Sequence, residues 1–229
     1  MFSLVRWMEL DPKWEDFQVA IEAAQEFDQF LTPIIERRKR EPGEDFLSIL
    51  VTTDGLKHEE ILSTCFLIFA AGGEATGRLV GNASLRLLRD RSQIPHLLAD
   101  PERAVEEFLR VEGTSKRLVR FAAVDHELAG CQIISQRLIY INILEANKDL
   151  RRAPDADQLD LSREPLPHLT LGAGPHYCLG AALARLQTIQ TLPRLFSRFP
   201  EMSLSDPNPP WNPSTTFRGL LSLPVHLRG

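Results

Sequence analysis

Cys178 is the residue whose neighbours most constrain its chemistry. It stands in Leu171-Gly172-Ala173-Gly174-Pro175-His176-Tyr177-Cys178-Leu179-Gly180, which runs on into Ala181-Ala182-Leu183-Ala184-Arg185. Glycines and a proline ahead of the cysteine cannot form a helix interior, whereas Leu179, Leu183, Leu186 and Ile189 recur at helical spacing behind it. The pattern predicts a tight loop that delivers the thiol to the first turn of an amphipathic helix. A helix N-terminus carries partial positive charge and unsatisfied N–H groups, both of which favour thiolate. Such a sulfur can ligate a metal or attack an electrophile. The ordinary alternative, a buried cysteine beside a helix cap, leaves the glycines and His176 unexplained.

Two further sets of residues could do chemistry. Glu107 and Arg110 lie three apart on one helix face, which alone is a common surface ion pair. Ala70 to Gly77 is glycine-rich in the middle of a helical pattern that runs from about Glu59 to Leu88. Each glycine there costs about 1 kcal/mol against alanine, so Gly72, Gly73, Gly77 and Gly81 need a reason. Close helix packing is one. Close approach of a flat ligand, with the acid Glu74 and the hydroxyl of Thr76 nearby, is the other.

The elements that position these residues are mostly helical. Asp11-Pro12 makes an N-cap and N1 pair for a helix that carries Phe17, Ile21, Ala24, Leu31 and Ile35, with Pro33 a kink or break. It closes on the basic run Arg37 to Arg40, a solvated face, and Pro42-Gly43. A short helix over 46–51, a turn at Asp54-Gly55 and the long glycine-bearing helix follow. Asp100-Pro101 caps a helix over 102–112. Leu118 to Ile134 reads as a hairpin turning at Ala129-Gly130, and Arg137 to Leu144 is β-rich. Residues 153–167, with prolines and aspartates, connect irregularly into the cysteine loop. Met202 to Pro213 is loop-like, and 220–227 suits a terminal strand.

Composition sets the outer bounds. A chain of 229 residues, 43% apolar and 25% charged, can bury a sizeable core. A net charge of −5 gives no reason to expect nucleic acid as partner. Cys65, Cys131 and Cys178 lack zinc-site or disulfide spacing and suit a reducing, cytoplasmic setting. Met1 to Trp7 lacks a signal-peptide core, and the longest apolar run, 65–71, is far too short for a membrane span.

The cysteine run resembles the ligand loop of the heme-thiolate monooxygenases, the cytochromes P-450, in their soluble bacterial form. The family pattern Phe-Gly-x-Gly-x-His-x-Cys-x-Gly is matched at every fixed position but the first, where Leu171 stands. Ala71-Gly72-Gly73-Glu74-Ala75-Thr76 resembles the oxygen-activating segment of the family's distal helix. Glu107 and Arg110 resemble its buried Glu-x-x-Arg pair, with Arg163 as the third member. The resemblance implies a mainly α fold with small β-sheets and heme b as cofactor, with Cys178 as axial iron ligand and Arg120 and His176 on the propionates. It places the heme between the cysteine loop, including Gly174 and Gly180, and the face of Ala71 and Gly72. Glu74 and a hydroxyl, Thr76 being the one nearby, would relay protons. A ferredoxin or flavoprotein would supply electrons, and a small apolar organic substrate would be hydroxylated.

The chain departs from the family in three ways. Ala75 occupies the usual proton-relay threonine position, and Thr76 lies about 100° further round a helix. Leu171 replaces an aromatic ring near the sulfur, which is expected to alter the iron's potential. The family is about twice as long, so residues 1–229 are expected to be a single truncated heme-binding domain that lacks the N-terminal half of the fold. A non-catalytic remnant or interaction protein that retains at most heme binding is the alternative. A cysteine hydrolase using Cys178 and His176 is a remote third, because residues two apart rarely reach a productive geometry.

Overall fold

In the computed structural model, which describes Glu9 and residues 12–227, the described residues form helices and short strands in two compact units, Met1–Ala75 and Thr76–Gly229. Asp11 and the stretch Met1 to Trp7 lie outside the described residues.

The first unit packs three helices, α1 (Trp14–Arg40), α2 (Phe46–Thr52) and α3 (His58–Gly72). Helix α1 starts two residues after Pro12, where the backbone N–H of Lys13 donates to Asp16 Oδ2 at 3.0 Å. It continues without interruption through Pro33, so that proline does not break it. Ile35, Leu31 and Ile61 form the centre, with Phe27 set edge-on to Phe66 at 5.6 Å between ring centroids. Asp45 caps α2 by accepting from the Ser48 N–H at 2.9 Å. In the basic run, Arg38 pairs with Asp45 at 2.6 Å and Lys39 with Glu36 at 2.8 Å.

The helix expected over 59–88 is two helices. Helix α3 ends at Gly72, and α4 (Ala75–Arg89) begins after a turn at Gly73 and Glu74. Paired glycines lose more conformational freedom on entering a helix than any other residues, and here they end it. A Cβ at Gly72, Gly77 or Gly81 would meet nothing within 4 Å, so close packing against described residues does not account for these glycines.

The second unit is built round α6 (Pro101–Glu112), which is buried on nearly every side from Ala104 onward. Asp100 caps it, accepting from the Arg103 N–H at 3.0 Å, with Pro101 at its first position. Phe108, Val105 and Ala104 meet Leu79, Ala83 and Leu87 of α4, Leu97 of α5 (Ile94–Ala99), and Leu192 and Phe196 of α8 (Ala181–Arg198) in one core. Each such leucine or phenylalanine contributes about 1.5–3 kcal/mol when fully buried.

The β segment is nested differently from the hairpin expected over 118–134. Only β2 (His126–Leu128) and β3 (Cys131–Ile133) form the hairpin. Its turn has φ of +51° at Ala129 and +80° at Gly130, the left-handed pair of a two-residue loop. Strand β1 (Arg117–Phe121) instead pairs with β4 (Leu138–Asn142), with Val119 opposite Tyr140 and Phe121 opposite Leu138. The reason is ladder length: β4 offers five partners in register, three of them the aromatic or β-branched Ile139, Tyr140 and Ile141, against only three positions in β2. The chain then enters α7 (Ile143–Asn147) and an irregular stretch that leads to the cysteine loop. Two-residue strands β5 (Ser203–Leu204) and β6 (Val225–His226) pair near the end, so the terminal strand is shorter than expected.

Candidate functional site

The cysteine loop is closed by its own backbone. The Cys178 N–H donates to the Leu171 carbonyl at 2.8 Å, and the Gly172 N–H donates to Leu169 at 2.8 Å. Gly172 has φ of +74°, and a Cβ on it would stand 3.2 Å from the His176 carbonyl oxygen, so turn and crowding together require glycine. Gly174, at φ +65°, opens a single 3-10 turn through Pro175 and His176. Leu171 is buried in the main core, and Cys178 packs against that core.

Cys178 sits two residues before the N-cap Gly180 of α8, not in the first helical turn. Its carbonyl accepts from the Ala181 N–H at 3.2 Å, which ties the cysteine to the helix start. The thiol is in no disulfide and is half-buried. A Cβ on Gly180 would stand 4.0 Å from Sγ, an ordinary contact. Leu179, Leu183 and Leu186, read above as the apolar stripe of α8, are 85%, 56% and 55% exposed. The buried face of α8 is Ala181, Thr188, Leu192 and Phe196.

Behind the loop, Glu107, Arg110 and Arg163 come together. Arg110 donates from Nε to Glu107 Oε2 and from Nη2 to Oε1, both at 2.7 Å. Its other N–H groups reach the carbonyls of Asn147 at 2.8 Å, Gln158 at 3.0 Å and Ala156. Arg163 Nε lies 3.5 Å from Glu107 Oε1, while its Nη1 donates to Asp155 Oδ1 at 2.7 Å. The guanidinium of Arg163 holds the Asp155 carboxyl below its ordinary range. Glu107 and Arg110 are 3% and 1% exposed, a fully desolvated pair whose charges are matched by hydrogen bonds.

Arg120 is exposed on β1 and donates from Nη1 to the carbonyl of Val119 at 2.9 Å. His176 is exposed on the loop. Ala71 and Gly72 are exposed in the last turn of α3, and Glu74 occupies the turn that follows. Ala75 and Thr76 open α4, with Ala75 exposed and Thr76 half-buried.

Sequence reasoning missed a second polar cluster. Asn147, buried at the end of α7, donates from Nδ2 to the Arg110 carbonyl at 3.1 Å and to Thr170 Oγ1 at 2.9 Å, and accepts from the Leu169 N–H at 2.8 Å. Glu106 receives Arg185 Nε at 2.5 Å on Oε1, and Arg185 Nη2 at 3.0 Å and His168 Nε2 at 3.2 Å on Oε2. Those hydrogen bonds, from His168 first and Arg185 second, hold the Glu106 carboxyl down at about 2. The sequence signal for it is slight: a second acid beside Glu107, and an arginine just past the first turn of α8.

A soft sulfur on a glycine-opened loop, with apolar side chains exposed beside it and charge locked away behind, suits an iron porphyrin better than a hydrolytic centre. No contact joins His176 and Cys178 as base and nucleophile; the imidazole stays exposed.

Comparison with known proteins agrees. A family model described as cytochrome P-450 matches residues 77–227. The biotin biosynthesis cytochrome P-450 of Bacillus subtilis (strain 168) is 36% identical over 202 residues, covering 86% of this chain and 51% of that protein. The 6-deoxyerythronolide B hydroxylase of Saccharopolyspora erythraea is 35% identical over 218 residues, covering 91% and 54%. The solved cytochrome P-450 PksS of the Bacillus subtilis 168 bacillaene polyketide synthase superposes with a TM-score of 0.90 at 32% identity, covering 100% of this chain and 60% of that one. A cytochrome P-450 in complex with hexadec-9Z-enoic acid ligated acyl carrier protein gives 0.90 at 33% identity, with 99% and 60% covered. The chain spans about half the length of the curated relatives it matches.

Proposed function

This chain belongs to the cytochrome P-450 family, and on that premise we propose that it carries the cysteine-ligand part of a heme-thiolate monooxygenase, with Cys178 as the axial ligand of heme b. Its fold is the corresponding part of the family's mainly α architecture with small sheets, and the proteins it resembles are monooxygenases that bind heme b through a cysteine thiolate. Among the described residues, no helix is long and apolar enough to cross a membrane. Both compact units belong, in this reading, to one heme-binding domain.

The observation that carries the reading is the closed loop that presents Cys178 while Glu107, Arg110 and Arg163 lock the segment behind it. Heme b bound there would activate dioxygen so that one oxygen atom enters the substrate, the thiolate donating electron density that favours O–O cleavage. Arg120 and His176 would hold the propionate carboxylates by charge-assisted hydrogen bonds. Gly174 and Gly180 on the loop, and Ala71 and Gly72 at the end of α3, would each admit the close approach of a flat ring, since none has a side chain larger than methyl. Glu74 would pass a proton towards the oxygen side, with Thr76 a poor replacement for the hydroxyl that Ala75 lacks. The substrate is a small apolar organic molecule, electrons come from a ferredoxin or flavoprotein, and the unpaired cysteines suit the cytoplasm.

Ala75 favours a second reading, in which the chain retains heme binding without turnover. The two are separated by expressing the chain with heme and recording the carbon monoxide difference spectrum of the reduced protein, alone and with a donor and substrate. A red-shifted Soret band that Cys178→Ala abolishes supports Cys178 as ligand. Absence of that band, or its survival in the variant, removes Cys178 from the role. A band without product formation supports the second reading.

A further inference from the structure

The cluster round Glu106 reaches the cysteine loop through a path that the ligand assignment does not use. Glu106 is on α6, one residue before Glu107, and both its oxygens are engaged. Arg185 lies on α8, beyond the loop in sequence, and His168 lies before the loop. The fourth member is Tyr177, the residue next to Cys178: Arg185 Nη1 donates to its phenolic oxygen at 3.1 Å. One guanidinium therefore bridges a helix carboxylate and the side chain adjacent to the thiol. Three different nitrogens, Nε, Nη1 and Nη2, hold these partners, a spread planar geometry that a lysine ammonium with all its donors on one atom does not reproduce.

We propose that Arg185 is a positioning residue for Cys178: clamped by both oxygens of Glu106, it fixes the Tyr177 side chain and with it the backbone that aims the thiol. The proposal rests on Cys178 as the iron ligand, since aim matters only for a bond with a required direction. At the Tyr177 end of the cluster the geometry favours restraint of the loop over a contribution to the core. The Glu106–Arg185 contact is partly buried and bidentate, so Arg185 has little freedom, whereas the Tyr177 ring is 49% exposed and buries little apolar area. Removing the phenolic hydroxyl therefore releases the loop while leaving the core intact. His168 braces the same carboxylate from the N-terminal side of the loop. Its Nε2 carries the proton in that contact, because a carboxylate only accepts.

The test uses the heme-free chain and its own thiols. Cys131 is exposed on β3, far along the sequence from the cluster, and serves as an internal reference. The alkylation rates of Cys178 and Cys131 by iodoacetamide, read peptide by peptide by mass spectrometry, are compared in wild type, Tyr177→Phe, Arg185→Lys and Glu106→Gln, each with its urea midpoint. The expected result is a rise in the Cys178-to-Cys131 ratio of about threefold in Arg185→Lys and Glu106→Gln, with a smaller rise in Tyr177→Phe at an unchanged midpoint. An unchanged ratio in all three variants overturns the proposal. So does an equal acceleration of both thiols with a lowered midpoint, which would make the cluster a stability element only. Because the readout needs no cofactor, failure of the wild-type chain to give a thiolate spectrum with hemin would count against the ligand assignment, while the alkylation ratio judges the restraint.

Discussion

Arg110 and Glu107 meet through two parallel hydrogen bonds of 2.7 Å, Nε to Oε2 and Nη2 to Oε1, with both side chains almost wholly removed from solvent. Every N–H of the guanidinium has an acceptor, and three of those acceptors are backbone carbonyls, one at Asn147, the last residue of α7, and two at Ala156 and Gln158 in the irregular stretch that follows. The pair thus organises the irregular stretch that leads to Cys178. Arg110→Lys keeps the charge but loses the fork. It is expected to lower stability by about 3–5 kcal/mol, the cost of leaving part of a buried pair unmatched. Urea unfolding of the purified chain measures this, and a midpoint within error of wild type would contradict it.

Acid is expected to weaken the second unit through Glu106. Its carboxyl titrates at about 2 in the folded chain against an ordinary 4.5, so between these values the unfolded chain binds the proton that the folded chain refuses. Stability from this group is complete above about pH 5 and is lost as pH falls towards about 2. Urea midpoints near pH 6 and near pH 3 should therefore differ more in wild type than in Glu106→Gln, which has no proton to bind. An equal pH slope in the two proteins would show that the contacts of His168 and Arg185 do not hold the carboxylate in solution.

What the sequence made legible was its local punctuation. Asp100-Pro101 stops and starts helices where written, Asp54-Gly55 turns with Gly55 at φ +85°, and Gly172 and Gly174 of the cysteine loop adopt the positive φ that glycine permits. Longer-range choices were not legible. Nothing in Leu118 to Ile141 says that β1 skips the nearer strand for β4, because both candidates alternate acceptably and register is decided in three dimensions. The interruption at Gly73 and Glu74 was hidden by an apolar period that continues on both sides of it. Glu106 and Arg185 are 79 residues apart, and no local pattern links them. The stripe on α8 shows a third limit: periodicity identifies a face, but cannot tell whether this chain covers it.

Two glycines should respond oppositely to alanine. At Gly113, which ends α6, a Cβ would stand 2.7 Å from the Leu109 carbonyl oxygen and 2.7 Å from Thr170 Cγ2. The same carbonyl accepts from Thr170 Oγ1 at 2.6 Å, so neither neighbour can move without losing a contact before the cysteine loop. Gly113→Ala is expected to cost about 1–3 kcal/mol. At Gly77, inside α4 with nothing within 4 Å, alanine is expected to stabilise the heme-free chain by about 0.5–1 kcal/mol. Shifts of the urea midpoint in the same direction for both variants would refute the contrast.

Leu183 and Leu186 share one side of the start of α8, Leu179 lies just ahead of its N-cap, and the three remain 56%, 55% and 85% exposed. Positions three apart on a helix lie on a single face, so Leu183 and Leu186 make an apolar strip on α8, and Leu179 adds a third exposed leucine next to Cys178 in sequence. In water each leucine forgoes about 1.5–3 kcal/mol that burial would supply, a drive towards association of heme-free chains. Replacing Leu183 with Glu and Leu186 with Gln together removes the strip without touching Leu192 or Phe196, which face the core. Surface changes of this kind alter folding stability by no more than about 0.5 kcal/mol, so the urea midpoint should hold. Sedimentation velocity over a concentration series should show wild type associating at lower concentration than the double variant. Identical sedimentation of the two would mean that this face does not drive contact between chains.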